Sequence, residues 1–255
     1  MDLTQHRNLI TDVPGLRVGN AHDDRLISGV TVLLGDAPFV AAADPRGGGI
    51  GSRETDALRH EGTVDEIHGL VLSGGSAFGL DAATGAQAWL REKGIGFRVR
   101  EACVPIVPGA ILFDLLNGGD KEWGRSPPYA ELAYQAASNA TADFAIGSAG
   151  AGFGATTSVL RGGLGSASDC LDDGTVVGAL AAVNPAGTVN IGDRPCFWAA
   201  PFEKNDEFGG LGYPEMITQP DRKVRLKGAI GESTVLAVVA TSAKLDRRAA
   251  ARLAI

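Results

Sequence analysis

Residues 67–93 read IHGLVLSGGSAFGLDAATGAQAWLREK, and this stretch decides the fold. Ile67 to Leu72 is short and apolar nearly throughout, the pattern of a strand buried on both faces. From Leu80 to Lys93 the period changes. Leu80, Ala83, Ala86, Trp89 and Leu90 fall on or near one face, which makes this a helix. Gly94 follows as its C-terminal stop. The turn between them, LSGGSAFG (Leu72 to Gly79), joins a strand to a helix. Working outward, Gly29 to Leu34 (GVTVLL), Phe39 to Ala43, Thr175 to Val183 (TVVGALAAV) and Thr234 to Ala240 (TVLAVVA) read as further buried strands. Pro127 to Asn139 reads as a second helix. Arg194 to Lys223, polar and rich in Pro, Gly and aromatics, reads as a long loop. No repeat and no linker divides the chain, so one α/β domain is expected over residues 1–255, its sheet strands covered by helices.

Composition narrows the function. Of 255 residues, 44% are hydrophobic and 21% charged, as in ordinary soluble domains. The 36 glycines are spread between apolar runs, which signals tight turns and close backbone approaches rather than a flexible linker. A net charge of -7 and a pI near 5.1, with the basic residues scattered, disfavour nucleic acid and anionic membrane as partners. No apolar run is long enough to cross a bilayer. Met1 to Gly15 is polar and lacks a signal-peptide core, so a cytoplasmic protein is expected. Cys103, Cys170 and Cys196 are odd in number and lack C-x-x-C spacing. They read as reduced, mostly buried thiols, and no metal site or cofactor is expected.

Three motifs invite chemistry. GSAGAGFGATT (Gly147 to Thr157) lacks the Gly-Lys-Ser/Thr ending of a phosphate loop and the G-x-G-x-x-G spacing. It reads as a tight turn into a small-residue helix or strand. The turn around Ser76 has the strand-to-helix context of a nucleophile elbow, but Phe78 stands where G-x-S-x-G requires Gly. Capping of the following helix by Ser73 or Ser76 is the plainer reading. The run Asp44-Pro45-Arg46-Gly47-Gly48-Gly49 reads as a solvated or subunit-contact loop.

Eight segments in order carry a resemblance over almost the whole chain. They are ITDVPGLRVGNAHD (Ile10 to Asp23), DPRGGGIGSRETDAL (Asp44 to Leu58), IHGLVLSGGSAFGLDAATG (Ile67 to Gly85), GIGFRVREACVPIVPGAILFDL (Gly94 to Leu115), GSAGAGFGATT, GGLGSAS (Gly162 to Ser168), VVGALAAVNPAG (Val176 to Gly187) and GESTVLAVVATSAKL (Gly231 to Leu245). Together they resemble the DmpA-type family of L-aminopeptidases/D-esterases, β-peptidyl aminopeptidases and nylon-oligomer hydrolases. The resemblance implies a four-layer αββα sandwich, two stacked sheets flanked by helices. It implies a precursor that cuts its own backbone before a Ser or Thr, which becomes the new N-terminus and the nucleophile.

Aligned on the family's strand, Thr234 is the nucleophile, Ser233 precedes the cut, and Asn184 is an oxyanion donor. Without the resemblance, Thr234 is simply a β-branched residue opening a strand, and Asn184-Pro185 a plain turn. The chemistry suits such residues. A β-hydroxyl attacks the preceding carbonyl, and the new α-amine, with a pKa of about 7.7–8.0, then serves as general base. No histidine is needed, which fits a chain with only His6, His22, His60 and His68. Phe113, Ser73 and Gly74 are expected to contact substrate. Phe113 falls where some members carry Tyr, so a phenol donor is missing, and Val159 falls where the nylon-hydrolase branch has Lys. Cleavage would give a large chain 1–233 and the start of a small chain, 234–255. The family continues beyond the equivalent of Ile255 with acidic and Ser partners of the nucleophile. The 255 residues are therefore expected to be a C-terminally incomplete piece, and Asp246 to Ile255 the opening of a helix. A homo-oligomer acting on small peptides, amides or esters is expected. The rival readings are a scaffold that keeps the fold without the chemistry, and an acyl transferase.

Overall fold

A computed structural model describes residues 6–227 and 232–255 of the chain. Gly231, which opens the last quoted segment, and the first five residues, which open the stretch read for a signal peptide, lie outside the described residues. Ten strands and three α-helices form β1 (Leu16–Asp23), β2 (Ser28–Phe39), β3 (Ser52–Arg53), β4 (Ile67–Ser73), α1 (Ala82–Glu92), β5 (Phe97–Val99), β6 (Ala102–Val104), β7 (Gly109–Ile111), α2 (Tyr129–Ser138), β8 (Gly163–Cys170), β9 (Val176–Asn184), β10 (Thr234–Thr241) and α3 (Arg247–Ala254). One sheet has the order β1-β2-β4-β7-β3, a second the order β10-β9-β8, and β5-β6 is a separate hairpin.

Two cores explain the layering. Val30, Val32, Leu34 and Val71 of the first sheet pack against Ala83, Ala86 and Leu90 of α1 and Leu132, Ala133 and Ala136 of α2. Leu33 and Leu72, on the opposite face, pack against Leu164, Leu180 and Ala182 of the second sheet. The first sheet is thus buried on both faces, by helices and by a sheet. That is why β2 and β4 read as unbroken apolar runs. Among the described residues β4 and β7 run parallel, and the other strand pairs are antiparallel. The helix layer fits closely. A Cβ on Gly85 would lie 1.8 Å from the Ala130 carbonyl oxygen, so only Gly lets α1 and α2 approach to this distance.

Several sequence readings shift. The strand expected over Phe39 to Ala43 is the end of β2, and residues 40–43 have no regular structure. Strand β10 was expected to be buried but alternates half-buried with exposed positions, with Val235 at 54% and Val239 at 71%. One face of it rests on the second core, through Leu236, Val238 and Ala240, and the other meets solvent. Neither Ser73 nor Ser76 caps a helix. The 3₁₀ turn Ser76–Asp81 starts from Gly75, in the left-handed region at φ 84°, and leads directly into α1. The thiols are less buried than expected, with Cys196 buried, Cys103 half-buried and Cys170 exposed. The final helix starts as read, with the Asp246 carboxylate accepting from the Ala249 amide at 2.7 Å. The Asp44 to Gly49 run is an exposed loop, and 194–223 holds only two 3₁₀ turns. Among the described residues no helix is long and apolar enough to cross a membrane.

Candidate active site

Strand β9 ends where Pro185 removes the next ladder donor, and β10 opens on β-branched Thr234. The two strands are antiparallel, and the register sets Thr234 directly opposite Asn184. Two residues chosen from segments 50 positions apart in sequence are therefore cross-strand partners. Ser233 is exposed and Thr234 half-buried. Asn184 is fully buried, at 0% exposure.

All four hydrogen-bonding positions of the Asn184 carboxamide are used. Its Nδ2 donates to the carbonyl oxygens of Phe113 and Glu232, both at 2.9 Å. Its Oδ1 accepts from the Thr156 amide at 2.9 Å and from Lys227 Nζ at 2.7 Å. With donors on one side and acceptors on the other, only one orientation of the amide fits. Glu232 is two residues before Thr234, so the Asn184 NH2 group faces the main chain just ahead of the expected cut. The Lys227 ammonium also donates to Thr156 O at 2.7 Å and Thr156 Oγ1 at 3.0 Å. Burial pushes the Lys227 amine below the usual lysine range, and the charge of Glu232 partly opposes this.

Beside this cluster lies a cavity of 80 Å³ lined by Phe113, Asp114, Leu116, Asn117, Thr156, Lys227 and Glu232. Asp114 forms its inner wall. Its carboxylate accepts from Ser28 Oγ at 2.6 Å and from the Gly75 amide at 2.7 Å. Burial raises its pKa, against the pull of those two hydrogen bonds and of Lys121. Tyr129, beneath, has its phenol pushed up by burial first and by the Asp114 charge second.

The structure brings Thr234, Ser233, Asn184 and Phe113 together but sets Ser73 and Gly74 behind the wall. Ser73 is fully buried, its hydroxyl donates to Gly74 O at 2.9 Å, and it does not line the cavity. A Cβ on Gly74 would lie 2.1 Å from Asp114 Oδ2, so Gly74 makes room for that carboxylate. Ser76 sits at φ 52° and its amide donates to Leu112 O. Val159 is exposed on the loop after Thr157. The sequence reading missed Lys227, Thr156, Glu232 and Asp114. Asp114 alone carried a signal, as the single charge in the apolar run AILFDLL. Among the described residues, no group of three or more His, Cys, Asp or Glu side chains could hold a metal.

Comparison with known proteins agrees with the resemblance. A family model described as peptidase family S58 matches residues 8–255. An uncharacterised aminopeptidase of Mycobacterium tuberculosis is 40% identical over 261 residues, covering 97% of this chain and 74% of that protein. A 6-aminohexanoate-oligomer endohydrolase of Kocuria sp. is 32% identical over 111 residues, covering 44% of this chain and 29% of that protein. The fold is that of a Burkholderia sp. β-aminopeptidase, with a TM-score of 0.66 at 21% identity, covering 96% of this chain and 65% of that one. It is equally that of the L-aminopeptidase D-Ala-esterase/amidase of Ochrobactrum anthropi, with a TM-score of 0.65 at 19% identity, covering 96% and 66%. This last structure is described as a variant of the Ntn-hydrolase fold, which is consistent with the sandwich expected from the sequence. The chain thus spans about two thirds of the length of these solved structures and about three quarters of the mycobacterial relative. On the match over residues 8–255, the chain belongs to peptidase family S58.

Proposed function

We propose that the protein is a self-processing N-terminal-nucleophile aminopeptidase or amidase, acting on small peptides, amides or esters through an acyl-enzyme on Thr234. The observation that carries this reading is the pairing of Thr234 with Asn184 at the mouth of the β9–β10 ladder, in a chain of a peptidase family.

Processing starts when Thr234 Oγ1 attacks the Ser233 carbonyl carbon. The peptide C–N bond breaks, an ester forms on Oγ1, and the proton passes to the Thr234 nitrogen. Water then hydrolyses the ester, leaving a carboxylate on Ser233 and a free α-amine on Thr234. In turnover that amine takes the hydroxyl proton as Oγ1 attacks the substrate carbonyl, then gives it to the leaving amine. Water releases the acyl group by the reverse sequence. In self-cleavage the Asn184 NH2 group holds Glu232 O and so positions the chain ahead of the cut; in turnover it stabilises the oxyanion of each tetrahedral intermediate. Both its N–H groups are engaged in the uncut chain, one of them by Glu232 O. Withdrawal of the cut end, residues 232–233, frees that donor for substrate.

Phe113 offers the substrate an apolar wall, while Ser73 and Gly74 act from behind Asp114. The cavity wall carries Asp114 and Glu232 against Lys227, a net negative lining that suits the free ammonium of a peptide N-terminus. We place the enzyme in the cytoplasm as a homo-oligomer. A scaffold role is favoured by the saturated hydrogen bonding of Asn184. The test is intact mass and amidase activity of wild type, Thr234→Ala and Thr234→Ser. Wild type should separate into two chains and hydrolyse aminoacyl anilides, the Ala variant should do neither, and the Ser variant should keep part of both. Hydrolysis by the Ala variant would move the nucleophile elsewhere, with Ser76 the next residue to test. Product analysis with a competing amine separates hydrolysis from acyl transfer.

A further inference from the structure

Lys227 belongs to no motif, yet its ammonium is the most constrained charge beside Thr234. It has three N–H donors, and Asn184 Oδ1 at 2.7 Å, Thr156 O at 2.7 Å and Thr156 Oγ1 at 3.0 Å supply three acceptors. A lysine satisfied in this way has no donor left for a substrate anion. Its remaining effect is on the group it holds. Asn184 Oδ1 also takes the Thr156 amide, so both lone pairs of that oxygen are fixed on one side and the NH2 group must face the other way. A hydrogen bond from a cation also draws electron density toward Oδ1, which makes the two amide N–H groups better donors.

We propose that Lys227 is a positioning residue that holds the buried Asn184 carboxamide with its NH2 group toward the chain ahead of Thr234, and polarises it as a donor. This rests on the Asn184 role given above. Lys227 is seven residues before Thr234, so processing leaves it on the large chain, still bound to Thr156 and Asn184. It therefore acts in both self-cleavage and turnover. A neutral side chain at 227 would leave Thr156 N–H as the one donor to Asn184 Oδ1, and Phe113 O as the one acceptor on the NH2 edge once the cut end withdraws Glu232 O; a carboxamide held so loosely presents its oxygen to the oxyanion in part of the molecules.

The experiment compares Lys227→Met, Lys227→Arg, Asn184→Ala and the Lys227→Met/Asn184→Ala double variant, each checked for folding by its thermal transition. Lys227→Met should slow self-cleavage and lower kcat by up to about 10²-fold, the scale expected for a misplaced catalytic group, with KM little changed. Lys227→Arg, which keeps the charge, should recover part of the loss. In the Asn184→Ala background, Lys227→Met should cost nothing further, because the two act as one unit. An equal loss in both backgrounds, or a loss confined to KM, overturns the proposal and makes Lys227 an independent or substrate-binding group. A second readout does not need activity. In uncut Thr234→Ala protein, hydrogen exchange of the Asn184 side-chain NH2, followed by NMR, should speed up at least tenfold on adding Lys227→Met. Unchanged exchange overturns the positioning role. If wild type neither self-cleaves nor hydrolyses amides, the nucleophile reading fails and the NMR comparison alone decides the role of Lys227.

Discussion

Replacing Asn184 with Asp separates the donor role of this side chain from its packing. The two residues are nearly isosteric, so the change swaps the NH2 group for an acceptor and leaves the cavity filled. In the structure that NH2 group makes two hydrogen bonds of 2.9 Å, to Phe113 O and Glu232 O. The variant sets a carboxylate oxygen against both carbonyls. At about 1–3 kcal/mol for each buried acceptor left without a partner, the cost is about 2–6 kcal/mol. The opposite edge gains, because the Lys227 ammonium at 2.7 Å now meets a carboxylate. That bond already has a charged donor, so only part of the about 1.5–3 kcal/mol of a charged hydrogen bond is gained, and the net destabilisation is on the order of 1–5 kcal/mol. The effect on rate is separate. Loss of one oxyanion donor costs about 10²–10³ in kcat. Asn184→Asp and Asn184→Ala should therefore show similar losses in self-cleavage and amidase rate. The expected readouts are the time course of intact mass, initial rates on an aminoacyl anilide, and urea unfolding. A folded Asn184→Asp protein that cleaves and turns over at the wild-type rate would refute the oxyanion assignment, since that variant has no N–H at the site.

Gly85→Val should destabilise the protein by about 1–3 kcal/mol or more, because a Cβ 1.8 Å from Ala130 O forces α1 and α2 apart; a shift in urea stability below about 0.5 kcal/mol would show that the helices separate freely. Asp114→Asn should change the pH dependence of stability. Burial holds the folded Asp114 pKa above the ordinary 3.8, so the folded state binds this proton more tightly than the unfolded state, and stability falls as pH rises from 3.8 through the raised value. The variant lacks that penalty, so its stability relative to wild type should rise across this window in pH-resolved urea unfolding; a difference that stays flat would place the Asp114 pKa at its ordinary value.

The frame of the fold was legible because burial on both faces leaves a plain mark. β2 and β4 lie between helices and a second sheet, so their apolar runs have few interruptions, and α1 and α2 carry the helical period. β1 and β8 escaped for the same physical reason. β1 includes Asn20 and His22, and β8 reads GLGSASDC, so neither carries a continuous apolar signal even though Val18 and Leu164 are buried. Strand direction left no such mark, because double burial produces apolar runs in antiparallel and parallel pairs alike. The candidate site divides in the same way. Thr234 and Asn184 sit at strand ends, where a change in pattern marks the position, and the ladder register sets them opposite each other. Lys227 and Thr156 come from irregular segments that owe their course to tertiary packing. Their residue types are commonplace, and their meaning lies in three acceptors gathered from positions 43 and 71 residues away. A lysine in the run VRLKG reads as a solvated charge until the fold closes over it. What changes its meaning is that every donor it has is already taken. A charge held in that way cannot bind a ligand anion without giving up an existing bond, so its chemical effect must pass through the carboxamide it grips.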